Sequence, residues 1–95
     1  MVIAAAVLAL GAAAPAHAGD AAAGKSKAKS CAGCHGADGK GGKGNPSIIN
    51  ISEAHFIKAM KDYKSGKRSH KTMAALSKKL SDADIANLAA YYASL

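Results

Sequence analysis

The stretch Cys31-Ala32-Gly33-Cys34-His35 contains the only two cysteines of the chain, followed at once by a histidine. Four kinds of chemistry use such residues: a structural disulfide, a zinc site, a thiol–disulfide redox pair and covalent attachment of haem. A disulfide between cysteines so close in sequence would close a tiny loop and stabilise little. A structural zinc site needs four ligands, and a thioredoxin-like pair belongs in a β-α-β context. None of these three explains the histidine.

Haem attachment explains all three side chains. Thiols at this spacing lie on one helical turn and can reach the two vinyl groups of a porphyrin, while the next residue directs an imidazole at the iron. The CxxCH pattern is short and can occur by chance, so its value as evidence for haem attachment depends on the rest of the chain. We predict one haem c attached through Cys31 and Cys34. A non-haem disulfide or metal protein is the alternative.

The rest of the sequence predicts helices that would position these residues. Asp20 can cap a first helix running to Cys34. A second helix is predicted from Ser52 to Gly66, and Ser81-Asp82-Ala83-Asp84 resembles a capping box at the start of a third. The segment KRSHKTMAAL is too short and polar for a long helix. No stretch predicts a strand, so the expected fold class is all-α.

Loop and core residues can also be assigned from the pattern. Five glycines fall between residues 36 and 44, which predicts a loop. Apolar residues at helical spacing predict two buried faces. They are Phe56, Ile57, Met60 and Tyr63 on the second helix, and Ile85, Leu88, Ala89 and Tyr92 on the third. With no Trp and few aromatics, a chain this short has a small core, and a disulfide or a large cofactor is expected to complete it.

The first eighteen residues, MVIAAAVLALGAAAPAHA, contain no charged side chain. An apolar block followed by small residues ending in Ala-His-Ala is typical of a secretory signal peptide with its cleavage site, although the usual basic residues at its start are missing. The block is shorter than the roughly 20 residues of a membrane span. We predict a signal peptide over residues 1–18, cleavage, and an exported, soluble domain over residues 19–95. An Ala-rich anchoring or core helix is the alternative.

The mature region resembles the small bacterial class I cytochromes c of the c5 or c553-like type. The resemblance spans residues 19–95 and rests on GKSKAKSCAGCHGADGKGG, on Asn45-Pro46-Ser47, and on Met73 followed by LSKKLSDADIANLAAYYASL. Apart from CAGCH, each of these segments alone is a weak indication of the family, but their order and spacing together are specific. The resemblance implies helices and loops wrapped around one covalently bound haem.

The resemblance also implies the roles of single residues. His35 would be the proximal iron ligand, with its second ring nitrogen bonded to the carbonyl of Pro46, and Met73 would be the sixth ligand, in a loop before the last helix. Pro46 could instead be an ordinary turn proline. The first and last helices would cross at Gly24 against Tyr91.

Three other side chains are rivals of Met73 as iron ligand. Met60 lies on the apolar face of a predicted helix, where methionine usually fills the core. His55 is expected on a helix surface. His70 is only three residues from Met73, so a bis-histidine arrangement remains open.

Charge and the implied ligands together predict the function. The net charge of +7 favours acidic partners, while export and the scarcity of aromatics argue against nucleic acid. We expect a monomeric, periplasmic, monohaem electron carrier without enzymatic activity, because both axial iron positions would be filled. Basic residues near the haem edge would dock an acidic redox partner transiently. They are Lys40, Lys43, Lys67, Arg68 and Lys71. The alternative is that these side chains only keep the surface solvated. The alternatives are a haem subunit of a dehydrogenase or oxidase complex, and an open-site haem sensor or peroxidase.

Overall fold

Five helices make up the regular structure of the described part of the protein. The computed structural model describes residues 19–42 and 44–95, in which the helices are α1 (Ala21–Lys27), α2 (Lys29–His35), α3 (Glu53–Ser65), α4 (Lys71–Ser77) and α5 (Asp82–Ala93). These ranges contain no β-strand, only an isolated bridge between Gly42 and Asn45. The all-α prediction is confirmed. The predicted signal peptide lies outside the described residues.

The first predicted helix is divided into two. Asp20 caps α1 as expected, its side chain accepting two backbone N–H bonds of the first turn at 2.9 and 3.2 Å. The helix breaks at Ala28, where the Ser30 hydroxyl donates to the Lys27 carbonyl oxygen at 3.2 Å. The Cys31 N–H, which would reach that carbonyl in a regular helix, bonds to Ala28 at 2.8 Å. A serine side chain thus competes with the backbone for the Lys27 carbonyl, and the regular helix hydrogen bonding is interrupted between α1 and α2.

The caps of α3 and α5 agree with the sequence predictions. Ser52 accepts a bond from the His55 N–H at 3.1 Å, and Gly66 ends α3 with a positive φ of 87°. Ser81 and Asp84 exchange two bonds of 3.0 Å each, which completes the capping box of α5. Both helices therefore begin where their capping residues direct.

The first and last helices, α1 and α5, cross at very close range. A Cβ on Gly24 would lie 2.0 Å from the Asn87 carbonyl oxygen and 2.8 Å from the Cβ of Tyr91. The Asp20 N–H also donates to the Asn87 side chain at 2.8 Å. The expected crossing of Gly24 against Tyr91 is present, and the tightest contact is with the backbone of Asn87.

The core is small and lies between α1, α3 and α5. Its buried apolar members are Ala28, Phe56, Met60, Ile85, Leu88, Ala89 and Tyr92. The stripe predicted on α5 is confirmed, since its four residues are 0–2 % exposed. The rings of Phe56 and Tyr92 lie 5.9 Å apart and join α3 to α5. None of the helices in residues 19–42 and 44–95 has the length and apolar character that crossing a bilayer requires.

Candidate haem-binding site

The glycine-rich segment after α2 folds back onto the end of that helix. The Gly41 N–H donates to the His35 carbonyl oxygen at 2.8 Å, and the Ile48 N–H donates to that of Gly39 at 2.7 Å. Gly39 has a φ of 73°, and a Cβ there would lie only 3.0 Å from the Tyr92 ring. Only glycine combines this backbone conformation with so little space. The loop is therefore fixed against α5 and returns the chain to His35.

His35 is held by the returning loop. The residue is 8 % exposed, and its Nδ1 lies 2.8 Å from the Pro46 carbonyl oxygen. A carbonyl can only accept a hydrogen bond, so Nδ1 carries the proton and Nε2 keeps its lone pair. This orientation of an imidazole by a backbone carbonyl is what a metal-binding histidine needs. The contact expected between His35 and Pro46 is present.

A cavity of about 320 Å³ lies beside His35 and collects the predicted site residues. Cys31, Cys34, His35, Pro46 and Met73 all line it. Much of its remaining wall is apolar and comes from the loop, α3, α4 and the turn after α4: Ile48, Ile51, Phe56, Ala59, Met60, Leu76 and Leu80. The cavity thus combines an apolar lining with an imidazole, a thioether and two thiols.

The two cysteines are free thiols three residues apart, within one turn of the short helix α2. Cys31 is half-buried, whereas Cys34 is exposed. Burial raises the pKa of the Cys31 thiol, against the opposing effect of hydrogen bonds with Tyr92 and Ser30. The same neighbourhood raises the pKa of Tyr92, chiefly through burial and secondly through Cys31. Both thiols line the cavity and are available for covalent attachment.

Met73 lies in a helix and not in a loop, which corrects the expectation taken from the family resemblance. It occupies the first turn of α4, where its N–H donates to the Nδ1 of His70 at 3.2 Å. His70 is thus the N-cap of a short helix within the polar segment KRSHKTMAAL. Beyond α4, the amine of Lys64 donates to the Leu80 carbonyl oxygen and ties this segment to α3.

All three rivals of Met73 also line the cavity. Met60 is 6 % exposed and belongs to the core, as expected of an apolar helix face. His55 is exposed on α3, also as expected. His70 differs from His35 in the direction of its hydrogen bond: its Nδ1 accepts from the Met73 N–H, so in the neutral ring Nε2 carries the proton and offers no lone pair to a metal. The geometry therefore favours Met73 as the partner of His35 on the iron, and this assignment remains a prediction.

Two cavity residues are not recognised from the sequence as ligand-contacting groups. The Arg68 guanidinium stacks over the Tyr63 ring, 4.9 Å from its centroid, and both side chains line the cavity. From the sequence, Arg68 is expected only among the basic residues that dock a partner, and Tyr63 only on an apolar helix face. The turn at Gly66, which brings Arg68 back over Tyr63, is the signal that could link them. A guanidinium at an apolar cavity suits the carboxylates of a haem.

The residues present fit a covalently bound haem. Two thiols on one helix, an oriented imidazole and a soft thioether are a donor set that suits haem iron. The apolar walls match the face of a porphyrin, and Arg68 matches its charged edge. The site therefore favours haem over zinc or a disulfide.

Comparison with known proteins agrees with this geometry. Residues 21–95 match the Cytochrome c family. Cytochrome c4 of Pseudomonas aeruginosa is 45 % identical over 90 residues, which are 93 % of this chain and 45 % of that protein. The structure of Acidithiobacillus ferrooxidans cytochrome c4 is similar with a TM-score of 0.78 and 25 % identity, over 83 % of this chain and 51 % of the other.

Two further solved structures are similar. Thiosulfate dehydrogenase TsdBA from Marichromatium purpuratum has a TM-score of 0.74 and 30 % identity, over 79 % of this chain and 18 % of that one. Reduced recombinant cytochrome c4 from Pseudomonas stutzeri has a TM-score of 0.70 and 26 % identity, over 79 % of this chain and 50 % of that one. The chain thus spans about half the length of the cytochromes c4 that it matches. The resemblance to class I c-type cytochromes is confirmed, and the chain belongs to the cytochrome c family of electron-transfer haem proteins.

Proposed function

We propose that the protein is a periplasmic, monohaem electron carrier without enzymatic activity. The observation that carries this proposal is the apolar cavity lined by both cysteines and by both predicted iron ligands, His35 and Met73. One CxxCH motif in the sequence supports one haem. The signal-peptide pattern of residues 1–18 supports export.

Each residue of the site has a distinct task in this proposal. Cys31 and Cys34 anchor the cofactor, which when bound supplies an iron that takes up or releases one electron. His35 offers Nε2, and Pro46 keeps its ring in place. Met73 offers a thioether, a soft ligand that favours the reduced metal and raises the reduction potential. If His35 and Met73 both bind the iron, they would leave no site on it for a substrate, and the chain would move electrons and not atoms.

The test is the visible spectrum of protein matured in a periplasm with haem-attachment machinery, oxidised and reduced, with and without carbon monoxide. We expect a low-spin spectrum with the weak far-red iron–thioether band, and no reaction with carbon monoxide. Met73→Ala should abolish the band, whereas Met60→Leu, at the other methionine of the cavity, should keep it. A low-spin spectrum without the band would favour His70. High-spin iron that binds carbon monoxide would favour the sensor or peroxidase class.

The matches to longer proteins favour a second candidate function. The chain covers half of each cytochrome c4 structure and 18 % of the thiosulfate dehydrogenase. A haem domain of this kind can therefore serve as one part of a larger redox assembly. Purification from its host as a stable complex with another protein would support this candidate, whereas a monomer of the mature mass would support the free carrier.

We also propose that an acidic redox partner docks transiently at the basic surface around the cavity. Of the basic residues expected from the sequence to dock a partner, Arg68 lines the cavity, and Lys40, Lys67 and Lys71 are exposed. Lys43 lies outside the described residues.

A neighbouring groove extends this surface. Its lining includes Lys27, Lys29 and Lys79, and it shares Ser30, Leu76 and Leu80 with the cavity. A partner in the groove would therefore lie next to the haem, where electron transfer needs it. Of these lysines, Lys27 is close to Asp84, at 3.7 Å, which leaves Lys29 and Lys79 as the better candidates for a partner.

The docking proposal is tested by the rate of oxidation by ferricyanide, a small anionic oxidant. Lys29→Gln combined with Lys79→Gln should slow the reaction at low salt, and the difference should vanish at high salt because mobile ions screen surface charge. Lys25→Gln combined with Lys61→Gln is the matched control, because it also removes two charges, at exposed lysines of α1 and α3 that lie outside both the groove and the cavity. Equal slowing by the control would mean that only net charge matters.

A further inference from the structure

Ser77 is the only fully buried polar side chain in the part of the chain that the structure describes. It is 0 % exposed and lies one helical turn after Met73. Its hydroxyl donates to the Met73 carbonyl oxygen at 2.7 Å, with the Ala74 carbonyl oxygen at 3.2 Å as a weaker second acceptor. A hydroxyl sealed from water with so short a bond is a fixed contact, because breaking it would leave buried polar atoms without partners.

The other polar group of the Met73 backbone is also held by a side chain. Its N–H donates to the Nδ1 of His70 at 3.2 Å. The His70 ring in turn lies edge-on against Tyr63 of α3, with 6.2 Å between centroids and 77° between planes. Met73 is therefore held at its carbonyl by Ser77 and at its N–H by His70, within a helix tied to α3.

These two hydrogen bonds, at the carbonyl and at the N–H of Met73, compensate for a weakness of methionine as a ligand. Its side chain is unbranched, with three rotatable bonds, so it does not by itself hold a thioether in one place. Fixing the backbone reduces the freedom that must be lost when the sulfur binds a metal. We propose that Ser77 and His70 are positioning residues that keep the thioether of Met73 on the haem iron. This inference rests on the proposed function, since it takes Met73 as the sixth ligand.

The hydrogen bonds of Ser77 and His70 to the Met73 backbone have a measurable consequence for ligand exchange. An external ligand such as imidazole can bind the ferric iron only in molecules whose Met73 has left it, so its apparent affinity is proportional to that fraction. Removing one hydrogen bond that favours the bound form should raise this fraction by a factor of about two to ten. The apparent affinity for imidazole should rise by the same factor.

A purely structural role for Ser77 is the alternative, because serines in helices often bond to the carbonyl of an earlier turn. Ser94 provides a control for the loss of a serine–carbonyl bond away from Met73. Its hydroxyl donates to the Tyr91 carbonyl oxygen at 2.6 Å, in the preceding turn of its own helix, and the residue is exposed at the end of α5. For His70, asparagine is the conservative replacement, since it is among the best N-cap residues, whereas alanine cannot cap.

The experiment uses the full chain with haem attached. Ferric protein is titrated with imidazole while the far-red iron–thioether band is followed, and urea unfolding is measured in parallel. We expect Ser77→Ala and His70→Ala to bind imidazole about two- to tenfold more tightly. Ser94→Ala should stay near wild type, and His70→Asn should return most of the way to it.

Unchanged imidazole affinity in Ser77→Ala, with only a lower urea midpoint, would assign the serine a structural role and overturn the inference. A rise of equal size in Ser94→Ala would also overturn it, because general destabilisation would then explain the effect. If the wild-type protein itself lacks the far-red band, the assignment of Met73 as ligand fails and the inference fails with it. A wild-type band with insensitive variants overturns the inference alone.

Discussion

Gly24 provides the sharpest test of the helix crossing that supports the site. In Gly24→Ala the new Cβ would lie 2.0 Å from the Asn87 carbonyl oxygen, whereas ordinary contacts begin at 3.4 Å. The obstructing atoms belong mostly to the backbone of α5, so α1 and α5 must move apart by about 1 Å, which forfeits a quarter to a half of the dispersion attraction across the contact. Overpacking of this kind costs about 1–3 kcal/mol or more, against a gain in helix propensity of about 1 kcal/mol.

Because the overlap is with backbone atoms, the cost lies in the upper part of that range, and after the gain in helix propensity we expect Gly24→Ala to lower the free energy of unfolding by about 1–2 kcal/mol. Gly33→Ala is the matched control, because Gly33 lies in α2 and a Cβ there would meet no atom within 4 Å. It should raise the free energy of unfolding by about 0.5–1 kcal/mol. Both variants lose the same freedom in the unfolded chain, so the opposite signs isolate the crossing. Urea unfolding of the haem-attached protein measures both, and a neutral or stabilising Gly24→Ala would refute the close approach.

Two further variants test the core and the start of α5. Leu88→Ala should lower the free energy of unfolding by about 2–5 kcal/mol, because Leu88 is 0 % exposed, whereas Leu95→Ala, at a side chain 51 % exposed, should change it by less than about 0.5 kcal/mol. The hydrogen bond from the Ser81 N–H holds the pKa of Asp84 below its ordinary value of 3.8, with smaller contributions from the Ser81 hydroxyl and Lys27. The charged carboxylate therefore stabilises the fold above about pH 4 and loses this effect as pH falls through the lowered pKa. In urea melts against pH, Asp84→Asn should be less stable than wild type at neutral pH and equal to it near pH 2, and a difference independent of pH would contradict this.

Capping residues and apolar spacing predict most of the fold. Ser52, Gly66 and the Ser81–Asp84 pair act within one or two turns of themselves, so their effect can be read from local sequence. The apolar stripe on α5 can also be predicted from the sequence, because its residues recur at helical spacing and pack on one side of the helix. The break at Ala28 is not predictable in this way, since it depends on whether the Ser30 hydroxyl bonds to water or to the Lys27 carbonyl.

The start of α4 escapes sequence-based prediction for a related reason. Helix starts are recognised by Ser, Thr, Asp or Asn at the N-cap, and here that position is occupied by His70, whose Nδ1 replaces the usual oxygen. The loop that the family resemblance implies at Met73 is therefore not corrected by any of the usual residues at the capping position. Ser77 is equally hidden, because nothing in its own sequence context says that a serine is sealed from water. CAGCH, by contrast, indicates its chemistry locally, so roles for the cysteines and His35 can be predicted from the sequence alone.

The cavity leads to a last prediction, on the dependence of the fold on its cofactor. The buried core has seven apolar side chains, and two of these, Phe56 and Met60, also line the cavity. The cavity is partly open to solvent, and four apolar side chains of its wall are only half-buried: Ile48, Ile51, Leu76 and Leu80. At about 1.5–3 kcal/mol for burying one such side chain fully, covering the exposed half of all four would contribute on the order of 3–6 kcal/mol. That is a large fraction of the whole stability of a small domain, about 5–15 kcal/mol.

The protein without haem should therefore lack a cooperative native state. Apoprotein is obtained by expression without export, in a cytoplasm that has no haem-attachment machinery. We expect it to keep some helical far-ultraviolet circular dichroism, to lose the near-ultraviolet signal of packed tyrosines and to unfold gradually in urea, because the helices persist while their packing does not. The haem-attached protein should unfold in one sharp transition. A sigmoidal urea transition of the apoprotein would mean that α1, α3 and α5 hold together without the cofactor, and that the cavity residues serve only to bind it.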